Sequence, residues 1–500
     1  MKRFLSVALS LGLLLSALAG CSQDSAPGGA EGGGNSITVR LETVGNNLDP
    51  NAANAIDINT IATHIYDTLL RCDENLEVQP CVASSWEQPD PLTYVLTISD
   101  GFKFHNGEDL EMEDAIYSLT RLENIAQAAS LYAQIDTISS EGDQMIVKLK
   151  EADSSFPRRL SEVFVFNKSY CEEAGDDYAN KPVGTGPYTL SEFVPGEKAV
   201  LTAWADYPGD KPSIETITFK GISEDSTAYM AVEAGDINFT KVDATDYERA
   251  RANEDLTFYQ CESTSTSFVA MNTQAAPFDN VNVRRAMAYA FDKESYLSVQ
   301  GENFFTIDSM FPNMTAYYSS SDYAISYDPE EAKKLLEAEG YNESNPLTFE
   351  IILYSESPVM QAYQADLAAI GVQVELTTLE FGVFLDDMAN QNFQMLIGSW
   401  SDVVGNPLSS AECYWSGSLG SQNVGFYVNP VCDELYSVAK TSSDNEEVID
   451  ACRQIQDIAW QDVPMFPTFG RSESYAYNKN LSGVIVFPSG VLSFRTAALG

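Results

Sequence analysis

Residues 1–21 decide where the rest of the chain folds. Met1-Lys2-Arg3 is a positive start, and Phe4 to Leu18 is an apolar run too short and too abruptly ended to span a membrane. It stops at Leu18-Ala19-Gly20-Cys21, a small-residue cleavage site ending on cysteine, the pattern of a lipobox. Residues 1–20 read as a signal peptide. Cys21 then takes a lipid on its thiol and an acyl chain on its new amine, and more than one chain suffices for stable anchoring. The competing reading is an ordinary signal peptide with an accidental cysteine. Ser22–Ser36 is rich in glycine and small polar residues and completes, with Cys21, a flexible tether over 21–36, whose r.m.s. reach is roughly 20 Å. The folding part lies beyond it, held at the outer face of a membrane.

That part is too long for one core, so two or three lobes are expected. A formal net charge of -45 becomes -47 once Lys2 and Arg3 leave with the signal peptide. A surface this acidic repels phosphate backbones and anionic headgroups, so nucleic acid is excluded as a partner. Of the 8 cysteines, Cys21 is set aside for lipid. Cys72 and Cys81 flank a turn-like stretch and are a plausible disulfide; Cys413 with Cys432 is a second candidate. No metal site is expected: no C-x2-C or H-x3-H spacing exists, and there are only 2 histidines.

Along the chain, Ile37–Leu41 alternates like a strand, and Ile56–Leu70 has apolar residues at helical spacing. Leu92–Ile98 and Met145–Leu149 read as strands around a helix at Glu111–Leu122. Lys181–Tyr188 is heavily punctuated by glycine and proline and marks a crossing between lobes. It is no phosphate cradle, because Pro187 offers no amide hydrogen and no Gly-Lys-Ser/Thr follows. The second half reads as α/β. Asp328-Pro329-Glu330-Glu331 opens a helix with Asp328 as N-cap, and Gly340 ends it. Leu347–Leu353, Val359–Ile370 and Val372–Leu376 read as strand, helix, strand, hence a parallel pair with a crossover. Phe393–Trp400 is a buried strand and Glu446–Trp460 the last clear helix.

No Gly-x-Ser-x-Gly elbow and no His-Glu-x-x-His exists. His64 reads as a core residue and His105 as part of a turn. The one enzyme reading is a secreted carboxylate-dependent hydrolase, which needs two acids at fixed separation in a cleft. The expectation is a non-enzyme without cofactor.

Several segments together resemble one family. They are Ala83-Ser84-Ser85-Trp86-Glu87, Gly101-Phe102-Lys103-Phe104-His105-Asn106-Gly107, Val183-Gly184-Thr185-Gly186-Pro187-Tyr188, Val283-Arg284-Arg285-Ala286-Met287-Ala288-Tyr289-Ala290-Phe291-Asp292, Tyr327-Asp328-Pro329, Ile370-Gly371-Val372, and Trp400 with Pro407. In this order they resemble the lipid-anchored extracellular solute-binding proteins of ABC importers, of the peptide/nickel-binding type. The resemblance implies an α/β, periplasmic-binding-protein-like clamshell of the large three-domain type, with mixed sheets and a hinge between two lobes. Domain I would be discontinuous (37–76, 184–272 and 471–500), domain II inserted (77–183), and domain III the opposing lobe (273–470). The implied function is capture of an oligopeptide or peptide-like solute and delivery to two permease subunits. The protein would act as a monomer on the extracytoplasmic face, at the cell surface or in the periplasm. A nickel chelate or an oligosaccharide is the alternative cargo.

By the same resemblance, ligand would add as a strand to the backbone of Asn54-Ala55-Ile56 and Ser399-Trp400-Ser401. Trp400, Phe381 and Tyr132 fall where the family places aromatic walls. Peptide-binding members carry an aspartate three residues after this tryptophan to hold an α-ammonium. Here that position is Val403, and Asp402 stands one earlier. Either Asp402 serves or there is no amine to anchor.

Overall fold

Ser36–Leu41 (β1) alternates so that Ile37 and Val39 turn inward, and it sets the first of two lobes. The computed structural model describes residues 35–51, 56–125, 128–402 and 404–500. The leader, Cys21, the tether up to residue 34, and Asn54 and Ala55 lie outside the described residues. Among the described residues no helix is long and apolar enough to cross a membrane.

In chain order, a short hairpin of β2 (Leu70–Cys72) and β3 (Val78–Pro80) follows. A separate four-stranded sheet is then built wholly from nearby sequence: β4 (Ala83–Asp90), β5 (Thr93–Ile98), β6 (Ile135–Glu141) and β7 (Gln144–Leu149), in the order β4-β5-β7-β6. The chain returns through β8 (Tyr188–Val194), β9 (Lys198–Ala203) and β10 (Thr216–Gly221), then β11 (Phe239–Lys241). The second lobe adds β13 (Phe304–Thr306), β14 (Thr348–Leu353), β15 (Gln373–Thr378) and β16 (Met395–Ser401). Two long strands, β12 (Leu256–Met271) and β17 (Met465–Asn478), run through both lobes.

One sheet therefore passes from lobe to lobe, in the order β15-β14-β16-β12-β17-β11-β1-β10-β9-β8, with β13 against β17. β12 pairs with β17 antiparallel along most of its length, and the register slips between Glu262 and Thr266 and again before Phe268. Bulges of this kind bend a strand and raise its twist. On one side of the slip the apolar residues belong to the cores around Val39, Phe239 and Tyr475 and around Tyr229 and Tyr247; on the other they belong to cores around Phe268, Ile351, Met395 and Phe466. The four-stranded sheet keeps its own core, including Tyr94, Leu96, Phe104, Leu119 and Phe156. β14 lies parallel to both β15 and β16, as the strand–helix–strand reading expects.

The punctuated crossing has a steric cause. A Cβ on Gly184 would collide with the carbonyl oxygen of Ile65, and one on Gly186 would stand 2.5 Å from that of His64. His105 clamps the same crossing: its amide donates to the Gly184 carbonyl (2.9 Å), its Nε2 meets the Gly186 carbonyl (2.9 Å), and its Nδ1 accepts from the Gly184 amide (3.3 Å). His64 is fully buried and accepts from the Phe494 amide through Nε2. The N-cap at Asp328 is present, with the Glu331 amide donating to its Oδ1 at 3.0 Å.

The disulfide expectation is corrected. All seven described cysteines are free thiols. Cys72 stands opposite Val78 in the β2–β3 hairpin while Pro80 stands opposite Leu70, so Cys81 lies beyond the far end of the register from Cys72. Cys413 and Cys432 are both buried without being joined.

Candidate functional site

Between the lobes opens a cavity of about 950 Å3. Its wall is mostly first-lobe: Asn51, Asp67, Arg71, Glu162, Tyr207 and Arg495 contribute, and Val404 reaches it from the second lobe.

The first-lobe wall is held by two ionic networks. Arg495 donates to the Asp67 Oδ1 (2.7 Å) and to the carbonyls of Thr63 and Tyr66, which end the helix Ile56–Ile65 without intrahelical partners. The other Asp67 oxygen accepts from the Thr185 hydroxyl (3.0 Å). Arg121 donates to Asp49 (3.0 Å), Asn51 (2.8 Å) and the Tyr178 hydroxyl (2.7 Å), and its guanidinium lies 3.8 Å from the Phe166 ring centre. It pins the segment that leads to Asn54-Ala55-Ile56. These charges are satisfied by protein groups.

Glu162 is different. The residue is exposed and lines the cavity, and its carboxylate has no hydrogen-bond or ion-pair partner among the described residues. Partial loss of hydration against the cavity wall pushes its carboxyl up to about 7; the carboxylate of Asp402, on the second lobe, adds to the rise, and Arg159 opposes it. Arg159 itself leans toward Asp153, at 3.9 Å. Arg71, also on the cavity wall, has no hydrogen bond or ion pair among the described residues.

The second-lobe wall is the carboxyl edge of parallel strands, where open α/β sheets bind ligands. Tyr354 follows β14, Phe381 stands shortly after β15, and Trp400 is the next-to-last residue of β16. Tyr354 and Phe381 are 40% and 54% exposed, with ring centres 5.7 Å apart. Trp400 is half-buried on Phe268, at 4.4 Å between ring centres. β16 pairs with β12 from Met395 to Ser401, but with β14 only at Met395 and Leu396. Beyond Leu396 its β14-facing side has no strand neighbour among the described residues. That is an open backbone edge running through Ser399-Trp400-Ser401. Asp402 Oδ1 accepts from the amides of Val404 (3.0 Å) and Asn406 (2.9 Å); its Oδ2 has no hydrogen bond among the described residues.

The structure thus gathers Phe381, Ser399, Trp400, Ser401 and Asp402 at one edge. Ile56 opens the helix Ile56–Ile65 half exposed, at Gly490. Tyr132 packs on the core of the four-stranded sheet, while its neighbour Leu131 lines the cavity. Glu162, Arg71 and Tyr354 were not singled out by sequence. Tyr354 had a signal, since it directly follows an apolar strand; Glu162 had none among 73 acids. Among the described residues, no group of His, Cys, Asp and Glu could hold a metal ion.

The model of the bacterial extracellular solute-binding proteins, family 5 matches residues 77–422. The glutathione-binding protein GsiB of Salmonella typhimurium is 27% identical over 483 residues, covering 90% of this chain and 92% of that one. HbpA2 from Haemophilus parasuis superposes with a TM-score of 0.88 at 20% identity, over 93% of this chain and 100% of that one. DppA from Helicobacter pylori, solved with the peptide STSA, gives 0.70 at 23% identity, over 93% and 98%. Edge, cavity and two-lobed sheet are those of a solute receptor, and the chain belongs to the family 5 bacterial extracellular solute-binding proteins.

Proposed function

We propose that the protein is a lipid-anchored, non-catalytic receptor that captures an oligopeptide or peptide-like solute outside the cell and delivers it to an ABC importer permease. Cys21 carries the anchor. Domain I comprises 37–76, 184–272 and 471–500, domain II 77–183 and domain III 273–470, with cargo enclosed between domains I and III by hinge closure.

One observation carries the reading: β16 leaves an open backbone edge on the second lobe, and Val404, just beyond that edge, lines a first-lobe cavity where the Glu162 carboxylate has no partner among the described residues. An extended main chain can bond along Ile397–Ser401, giving affinity without reading side chains. Trp400, Phe381 and Tyr354 cover its flanks. A cationic group fits between the Asp402 and Glu162 carboxylates, which supports an α-ammonium there and leaves Arg71 free for an anionic group. The relatives agree in kind: GsiB is named for glutathione, and DppA was solved with a peptide.

The test is a thermal-shift and product assay of residues 21–500 with glutathione, the peptide Ser-Thr-Ser-Ala and N-acetylated forms of both. At 100-fold excess over Kd, stabilisation should be about 2.7 kcal/mol. The reading expects a shift with a free-amine compound, a smaller one after acetylation, and unaltered solute. Hydrolysis of the solute, or equal shifts with and without the amine, would contradict it.

A further inference from the structure

The two lobes are joined covalently through β12 and β17, but a third link is non-covalent. It lies in the stretch Glu151–Arg158 of the first lobe. Arg158 is 5% exposed and has no carboxylate partner among the described residues. Its Nη1 donates to the carbonyl of Val404 on the second lobe, at 2.9 Å, and to the carbonyl of Leu76 in the β2–β3 turn. The guanidinium also lies 5.8 Å from the ring centre of Tyr317, on the second lobe. Leu76 holds a left-handed backbone (φ 61) that leucine disfavours, and its side chain is 2% exposed. It fills the space over Gly405, where an added Cβ would stand 2.7 Å from Leu76 Cδ1. Four residues before Arg158, Ser154 donates twice to the end of the second-lobe helix Pro430–Thr441. Its hydroxyl reaches the Ala439 carbonyl (2.6 Å) and its amide the Lys440 carbonyl (3.0 Å). Glu151 pairs with Lys440 at 2.9 Å.

A buried guanidinium served only by carbonyls is an expensive way to fill space. It suits a contact made and broken as a unit, since the one carboxylate in it, that of Glu151, is exposed and stays hydrated when the lobes part. Val404, whose carbonyl it grips, donates its own amide to Asp402 Oδ1 at 3.0 Å. We propose that Arg158, with Ser154 and Leu76, is an inter-lobe clasp that positions the Asp402 turn against the first-lobe cavity and holds the lobes together before any solute arrives. The clasp goes beyond the receptor reading and rests on it only in treating the lobes as able to part.

The test uses residues 21–500 without solute, so that it does not depend on identifying the cargo. Small-angle X-ray scattering should give a larger radius of gyration for Arg158→Met with Ser154→Ala than for the wild type. Arg158→Lys, which keeps one donor, should restore part of the difference. If Arg158→Met does not fold, Ser154→Ala with Glu151→Gln carries the same comparison at smaller amplitude. A purely structural role would lower the melting temperature and leave the radius of gyration of the folded protein unchanged, which would overturn the proposal.

Discussion

The two walls of the cleft are built on opposite principles. The first-lobe wall is ionic and mostly satisfied: Arg495 and Asp67 answer each other and the end of a helix, and Arg121 gathers Asp49, Asn51 and Tyr178. The second-lobe wall is an unpaired strand edge flanked by exposed rings. One wall uses charge to hold its own shape and leaves the Glu162 carboxylate, among others on the cavity rim, unanswered. The other leaves backbone and aromatic surface unanswered. The contrast teaches that shape and cargo binding are separable here: first-lobe charges set geometry and polarity, and second-lobe edge and rings supply grip.

Substitutions should split along that line. The largest effect is expected on stability, at Arg495→Ala. Removing one partner strands the buried Asp67 and should cost about 3–5 kcal/mol, read by denaturant unfolding. A loss under 1 kcal/mol would break the claim that this wall is structural. Gly186→Ala comes next. Its Cβ would press on the His64 carbonyl, and overpacking of this kind costs about 1–3 kcal/mol. Trp400→Ala should reverse the pattern. Affinity should drop by about 1–3 kcal/mol, as at an aromatic hot spot, with a smaller change in unfolding because the ring is half-exposed. Equal losses in both would merge the two walls.

The smallest effect, and the sharpest in sign, is with pH. The Glu162 carboxyl is raised from the usual carboxylate range to about 7. Its contribution to folding is therefore full below about 4.5 and fades as pH rises through about 7. Binding of a cationic solute should move the other way, strengthening over the same window by at most about tenfold per pH unit. Titration calorimetry from pH 5 to 8 should show the slope, and Glu162→Gln should flatten it. A slope unchanged in Glu162→Gln would remove this carboxylate from the site.

Much of the fold was legible because it is local. Period-2 alternation marks β1, β5 and β7; capping marks the helix at Asp328; strand–helix–strand spacing marks the parallel pair β14 and β15. The two strands that matter most for mechanics left no such mark. The centre of β12, Glu262–Ser267, is entirely polar, and the register slips there as the strand leaves one core for the other. Each half then buries residues against a different partner, so no single alternation runs its length. β17 carries Pro467 and Gly470 within a strand, where either residue argues against the assignment. At the site, Trp400 and Asp402 were reachable through the family pattern. Glu162 was not, because what distinguishes it is the absence of a partner, a property of three-dimensional surroundings. The same holds for Arg158, one arginine among many until Leu76 and Val404 are brought to it.

The most direct measurement is native mass spectrometry of residues 21–500 purified without denaturation, with the trapped solute released and identified. The account predicts a small peptide or peptide-like compound with a free amine, recovered from the wild type and lost from Asp402→Ala. A trapped sugar without basic nitrogen, or an amine compound retained undiminished by Asp402→Ala, would contradict it.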